Sequence, residues 1–517
     1  MTIARFINTL LLVLTLLAFS AQFFIDFSTD NIAASCIILA PALLTLLYLR
    51  WSKALDTHPL SSFALFGFCV TSQLGALLAQ SAFWLAVSAN LRQPLTTFSM
   101  MAMYQALAIA AHALYRIMFK APANQTGLLR HTFGKLGVYA APSALNLWIT
   151  GVIGFFCLLL TNVSKVAHGM TFLAWAPFLI PIYVQQLGAG YCNVKRNYSA
   201  LLVFATLIAL IAMAFNTRSA LLSGIVTVGL LLLMIGMRSS KPVTSPMLLK
   251  LCMVGLLGAA LSWPASNLVI AMVVARSDKS KLNGIEMVQK TLENFQDSGK
   301  LEKYNKLQAA IHMHSSSYDE KYIANPIAAR FVITKFHDNA IYFAEKITDK
   351  GRDEMMEVSG DFLWATLPQP WLDWLKVDVD KEKLRFSMGD MLANLAVGTP
   401  LGGFKTGSMF GQGWALFGHL FPVIYFGMCF ILFAAIDVFS IPAASGVAGL
   451  SVIGMLNVWP NFLFGLTADS LHFLFQSVAR GVFQSVLLYS IAFHIAKSLS
   501  NLLLSIRPSI ASALPAR

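Results

Sequence analysis

Apolar runs of about 20 residues recur along this chain from end to end, and that recurrence constrains the fold more than any other feature. A run of that length crosses roughly 30 Å of hydrocarbon as an α-helix. Twelve such runs can be drawn, at 5–25, 32–50, 61–85, 95–118, 138–161, 168–188, 199–215, 218–237, 248–274, 412–437, 445–468 and 480–505. Hydrocarbon offers no partner to a backbone N–H or C=O, so each run has to close its hydrogen bonds on itself. The expected fold is an all-α polytopic membrane protein with about 12 transmembrane helices. Only 12% of the residues are charged, against roughly 25% in soluble domains.

One interval breaks the pattern. Residues 275–390 hold 17 Lys and Arg and 19 Asp and Glu, while the rest of the chain holds 20 basic and 5 acidic residues. The expected organisation is a membrane domain over 1–274 (helices 1–9), a large, mostly helical extracytoplasmic segment over 275–411, and a membrane domain over 412–517 (helices 10–12). The net charge of +13 then belongs to the membrane flanks and does not imply a nucleic-acid partner; a basic stripe with interleaved exposed aromatics would be needed for that. With the N-terminus inside, the short inner flanks carry 15 Lys and Arg and the outer ones 5. The positive-inside rule therefore puts both termini in the cytoplasm and the large segment outside. The first run resembles a signal peptide in its apolar core. Arg5 is its only early charge and no Ala-x-Ala site follows Phe24, so it reads as a retained helix. Six cysteines, none in 275–390 and none in CxxC, point away from a disulfide framework or a zinc site.

Within the large segment, Ile285, Met287, Leu292 and Phe295 have amphipathic helical spacing, and Pro326 to Lys346 reads as a second helix. Trp364, Trp371 and Trp374, with Pro368 and Pro370 among them, suit the headgroup region; a small soluble core is the other reading. Gly398 to Gly418 is glycine-rich, but neither GxxxxGK[ST] nor GxGxxG occurs in a strand-to-helix setting. Nucleotide chemistry is not expected, and no cofactor is required.

Arginines at the outer mouths of the helices are the first candidates for chemistry, because charge placed there is costly. Arg218 follows the turn Phe215-Asn216-Thr217. It reads either as a fixed, paired-donor cation for phosphate or as a snorkelling helix start. If 326–346 is one helix, Arg330, Thr334, His337, Asp338, Ile341 and Glu345 share a face. Such a face could hold a pyrophosphate and accept a hydroxyl proton; its plainer reading is a solvated face with ion pairs. His312 and His314 are two apart and so point to different helix faces, which argues against a metal pair. Asp26 and Asp30 follow the first helix on the outside, where lipid-linked-sugar transferases of another type place a catalytic or metal-binding acid; the plainer reading is that acids sit outside because bases are kept inside. Asp469, His472 and Arg480 surround the last outer loop and could complete a polar cavity.

The stretch Thr217-Arg218-Ser219-Ala220-Leu221-Leu222-Ser223-Gly224 resembles the polysaccharide repeat-unit polymerases (Wzy-type) and the related O-antigen ligases. Gly229 follows Arg218 by eleven, similar to the Arg-x10-Gly motif of some of these polymerases. The late outer segment, and Gly407 to Gly418 running into an apolar helix, look similar too. Where Ser-Arg-Gly is common this chain has Thr-Arg-Ser, and where Glu often precedes the aromatic of the glycine-rich stretch it has Gln412. No second Arg-x10-Gly occurs in the outer segment.

The resemblance implies metal-independent glycosyl transfer on the outer face of a bacterial inner membrane. A glycan on undecaprenyl pyrophosphate would move to a sugar hydroxyl of the next lipid-linked unit. It implies a lipid-linked oligosaccharide substrate, surrounding membrane lipids, and a flippase and a chain-length regulator as partners. Arg218, Arg330 and Arg480 are then the pyrophosphate-binding candidates, and His337, with Asp338 or Glu345, the base. A ligase would share the fold and arginines and differ in acceptor. A transporter or flippase of lipid-linked oligosaccharide is the competing class; broken helices or buried charges near the midplane would favour it.

Overall fold

In a computed structural model the elements of the chain are helices, among its described residues, which are 1–120, 127–161, 163–276, 282–304, 306, 319–323, 325–367, 369–379, 383–442 and 449–511. His312 and His314 lie outside them. Among the described residues, ten helices are long and apolar enough to cross a membrane. They are α1 (Ile3–Ile25), α2 (Thr29–Ser52), α3 (Pro59–Ala82), α4 (Pro94–Met118), α6 (Lys165–Leu187), α7 (Val194–Ala214), α8 (Arg218–Arg238, apolar from Ala220), α9 (Ser245–Ala275), α15 (Met409–Asp437) and α18 (Leu471–Leu503). A shorter apolar helix, α5, covers Ala144–Leu159.

Two of the twelve expected spans differ. The fifth reduces to the 16 residues of α5. The eleventh is broken into α16 (Val452–Leu456) and α17 (Val458–Phe464) by Asn457, whose ψ of 5° leaves the helical range. Tertiary packing takes up the break. The backbone of Phe462 lies so close to α3 that a Cβ on Gly67 would sit 2.2 Å from the Phe462 carbonyl oxygen. Only glycine allows that approach, and close backbone contact is how helices associate where lipid is as apolar as they are.

The large segment folds into α10 (Gly284–Gln296), α11 (Thr334–Lys346), α12 (Asp349–Trp364), α13 (Gln369–Leu375) and α14 (Met388–Val397). A capping box of Asn283 and Glu286 starts α10. Its buried face is Met287, Thr291 and Asn294, while Ile285 and Leu292 point outward. The expected helix over 326–346 begins only at Thr334. The Asn325 side chain accepts from the amides of Ile327 and Ala328, which closes a turn, and Arg330 ends an isolated 3₁₀ turn. Arg330 therefore does not share a helix with His337. Trp364, Trp371 and Trp374 are exposed.

The segment is locked into the bundle. A π turn at Val70–Leu74 widens α3. Such a turn leaves carbonyls open to other donors, and the Ile333 amide donates to the Thr71 carbonyl at 2.9 Å while the Thr334 hydroxyl donates to that of Ser72 at 2.8 Å. Those carbonyls lie about 15 Å along α3 from Ala82 at 1.5 Å per residue, so the segment reaches deep between the apolar helices. Phe343, Met355, Val358, Met391 and Leu392 form its core and continue onto Ala415 and Leu416 of α15.

Candidate functional site

Asn216, in the left-handed region at φ 53°, turns the chain between α7 and α8. Its side-chain amide donates to the Met272 carbonyl of α9 at 2.7 Å. That bond sets the start of α8 against the end of α9, so Arg218 and Arg276 border one cavity of about 780 Å³. Arg330, Lys321, Tyr304, Asp319 and Glu320 of the large segment complete its polar side. Val269, Ile270 and Val273 of α9, Ile333 and Phe336, and Leu463 and Phe464 of the broken span make its apolar side.

Among the described residues, four cations and two carboxylates line the cavity. Arg218 feels the positive charges of Arg330 and Arg276, with Tyr304 near it, and Glu320 offsets the charge of Arg330. Arg218 is also the first residue of α8, at the positive end of the helix dipole, where a cation is disfavoured and an anion favoured. Arg276 closes α9, where a cation is favoured. The arrangement suits a multivalent anion carried on an apolar chain, since guanidinium forks pair with phosphate oxygens and the apolar lining takes hydrocarbon.

The other sequence-derived candidates lie elsewhere. His337 is buried between α3 and α15: its Nε2 is 3.2 Å from the Ser72 hydroxyl, its Nδ1 is 2.8 Å from the Ser408 hydroxyl, and Phe410 meets its ring edge-on. Burial pushes the imidazole down to about 3, so it is neutral and a weak base. Ile333 and Phe336 of the same stretch face the cavity and His337 does not. Asp338 is fully buried and accepts from the amides of Arg92 (2.8 Å) and Gln93 (2.9 Å), the Thr97 hydroxyl (3.1 Å) and the Lys335 ammonium (3.1 Å). It clasps α11 to the start of α4. Glu345 is exposed and accepts from the Gln93 side chain at 2.7 Å. Arg480 is exposed on a π turn of α18 and does not line the cavity.

Gln412 is buried, accepts from the Leu471 amide at 2.8 Å and donates to the Ser359 hydroxyl at 2.9 Å, which ties α15 to α18 and α12. An amide can donate and accept at once; a carboxylate could not. Asp26 accepts from the amide and hydroxyl of Ser28. His472 stacks on Phe362 with ring centroids 4.1 Å apart, and Asp469 accepts from the Ser470 hydroxyl. Among the described residues, no group of three or more His, Cys, Asp or Glu is placed to hold a metal ion.

Arg276, Tyr304, Glu320 and Lys321 were not candidates on sequence. Arg276 carried one usable signal: it is the first charge after the ninth apolar run, as Arg218 opens the eighth. The other three sit among many polar residues of the large segment, with nothing in their spacing to set them apart. No family model, no curated protein and no solved structure matches this chain.

Proposed function

We propose that this protein is a membrane glycosyltransferase acting on a glycan carried by a polyprenyl pyrophosphate, and that it extends repeat units into a polysaccharide. The observation that carries the reading is one cavity shared by Arg218, Arg276 and Arg330, from regions more than 50 residues apart in sequence, and lined also by apolar side chains. Bond breaking releases a pyrophosphate, and preset arginines stabilise the charge that develops on it. Glu320, beside Arg330, is the carboxylate assigned to accept the proton of the attacking sugar hydroxyl. The excess of inner-flank Lys and Arg supports cytoplasmic termini and an extracytoplasmic cavity in a bacterial inner membrane.

The test is chain extension in proteoliposomes supplied with a lipid-linked repeat unit. Arg218→Ala and Arg330→Ala should each abolish extension, losing roughly 2.7–4 kcal/mol of barrier stabilisation if each acts as a preset donor. Arg218→Lys should rescue poorly, because the ammonium lacks the paired fork. Unchanged polymer length in both alanine variants sinks the proposal. Transfer of the glycan to a lipid-A core in place of growth would assign a ligase. Leu463 and Phe464, at the end of the broken span, line this cavity, and a broken span favours the transporter reading. Lipid-linked oligosaccharide crossing the bilayer unchanged in length would establish that reading.

A further inference from the structure

A second pocket lies on the other side of the turn that presents Arg218. Thr217 borders it while Arg218, the next residue, borders the arginine cavity, so the turn into α8 contributes to both. Its volume is about 280 Å³, and it is formed where α5 and α7 end and where α6 and α8 begin. These four helix ends lie on the side of the bundle where the arginine cavity opens.

The lining has a definite chemistry. Among its described residues there is no Asp, Glu, Lys or Arg. Phe172, Trp175 and Phe215 supply aromatic surface, and His168, Thr161 and Thr171 supply polar atoms. The hydroxyls of Thr161 and Thr171 already donate to helix carbonyls, at Leu158 (2.9 Å) and His168 (2.9 Å), so they offer lone pairs. The His168 imidazole is exposed and has no hydrogen-bond partner among the described residues, so its ring nitrogens are open to a ligand. Aromatic faces carry negative potential and attract polarised C–H groups. Hydroxyl acceptors and an open imidazole suit alcohol groups. A phosphate would find no cation here, and an alkyl chain would leave these polar atoms unmatched. The volume is below the roughly 300–1,000 Å³ of drug-sized sites, which limits the occupant to one or two sugar rings.

We infer that this pocket is a neutral-sugar subsite, which holds a non-reacting pyranose of a glycan whose lipid pyrophosphate occupies the arginine cavity next to it. The sugar half of the inference stands on the pocket alone; the link to a lipid-linked glycan rests on the proposed function. Two ligand classes separated by one turn would let the chain orient a glycan by its ends.

The experiment uses the full chain in nanodiscs and saturation-transfer NMR with methyl glycosides of glucose, galactose, mannose, rhamnose and N-acetylglucosamine. At least one glycoside should receive saturation. Trp175→Ala, and separately the pocket-filling Ala220→Leu, should each weaken that binding at least tenfold. Labelled undecaprenyl pyrophosphate, measured in parallel, should bind both variants as it binds the parent and should lose affinity in Arg218→Ala. Absence of transfer from every glycoside overturns the subsite, as does transfer unaffected by a folded Ala220→Leu. A copurifying phospholipid lost from both pocket variants, in native mass spectra, overturns it in favour of an acyl-chain pocket. Glycoside binding that follows these variants, without any undecaprenyl pyrophosphate binding, supports the subsite and counts only against the proposed function.

Discussion

Replacing Asp338 by Asn tests whether that carboxylate serves as a clasp or as a reagent. Oδ2 accepts from the Arg92 amide and the Lys335 ammonium, and Oδ1 accepts from the Gln93 amide and the Thr97 hydroxyl. An amide has one acceptor oxygen. Placed toward Gln93 and Thr97, it turns an NH₂ group against the Arg92 N–H and leaves the Lys335 ammonium, itself buried, without its carboxylate. Removing one partner of a buried ion pair costs about 3–5 kcal/mol. Because the clasp joins α11 to the start of α4, the loss should fall on local opening of the large segment. Hydrogen exchange in α11 should accelerate by roughly a hundred- to a few-thousand-fold, and protease should cut 275–411 sooner. Lys335→Met combined with Asp338→Leu should recover part of the protection, since apolar replacement of a buried pair is often tolerated. The recovery stays partial because two backbone N–H groups remain without acceptors. Exchange at the parent rate in Asp338→Asn, together with lost chain extension, would refute the clasp and make Asp338 a group that acts on substrate.

The His337 imidazole, held down to about 3, makes the folded state bind fewer protons than the unfolded one, whose histidine titrates near 6.5. Stability is therefore full above pH 6.5 and falls as the pH drops toward 3, by about 5 kcal/mol in all for a shift of this size; exchange in α11 measured against pH should show that slope, and His337→Asn should flatten it. Gly411→Ala brings a Cβ within 2.5 Å of the backbone and Cβ of Ala340, so thermal unfolding should show about 1–3 kcal/mol of overpacking; parent-like stability would mean that α11 and α15 do not touch there. On a cysteine-free background, Lys350→Cys should react with an impermeant maleimide in intact cells and Ser239→Cys should not, because inner flanks carry 15 Lys and Arg and outer ones 5; the reverse pattern would invert the topology.

Much of this architecture is written in one dimension. Long apolar runs with few charges have to become helices in hydrocarbon, because each closes its own backbone hydrogen bonds, and ten of them do so among the described residues. That requirement is local, so sequence alone reveals it. The same holds for Arg218 as the opening residue of α8 after a tight turn. The broken span was not read from the sequence, although Asn457, Pro460 and Asn461 are the kind of residues that interrupt a helix. What sequence does not show is the packing of α17 on Gly67 of α3. The partnership of Arg218 with Arg276 comes from the packing of the α7–α8 turn on α9, where Asn216 donates to Met272, and that with Arg330 from how the large segment folds back. His337 and Asp338 looked like reagents because their residue types permit it. Their partners, Ser72, Ser408, Arg92, Gln93 and Thr97, come from distant parts of the chain. Sequence determined which residues can carry charge or accept a proton. Tertiary structure decided which of them face a cavity and which are spent in holding the fold, because a hydrogen bond is satisfied by whatever lies within 3 Å or so in space, at any separation along the chain.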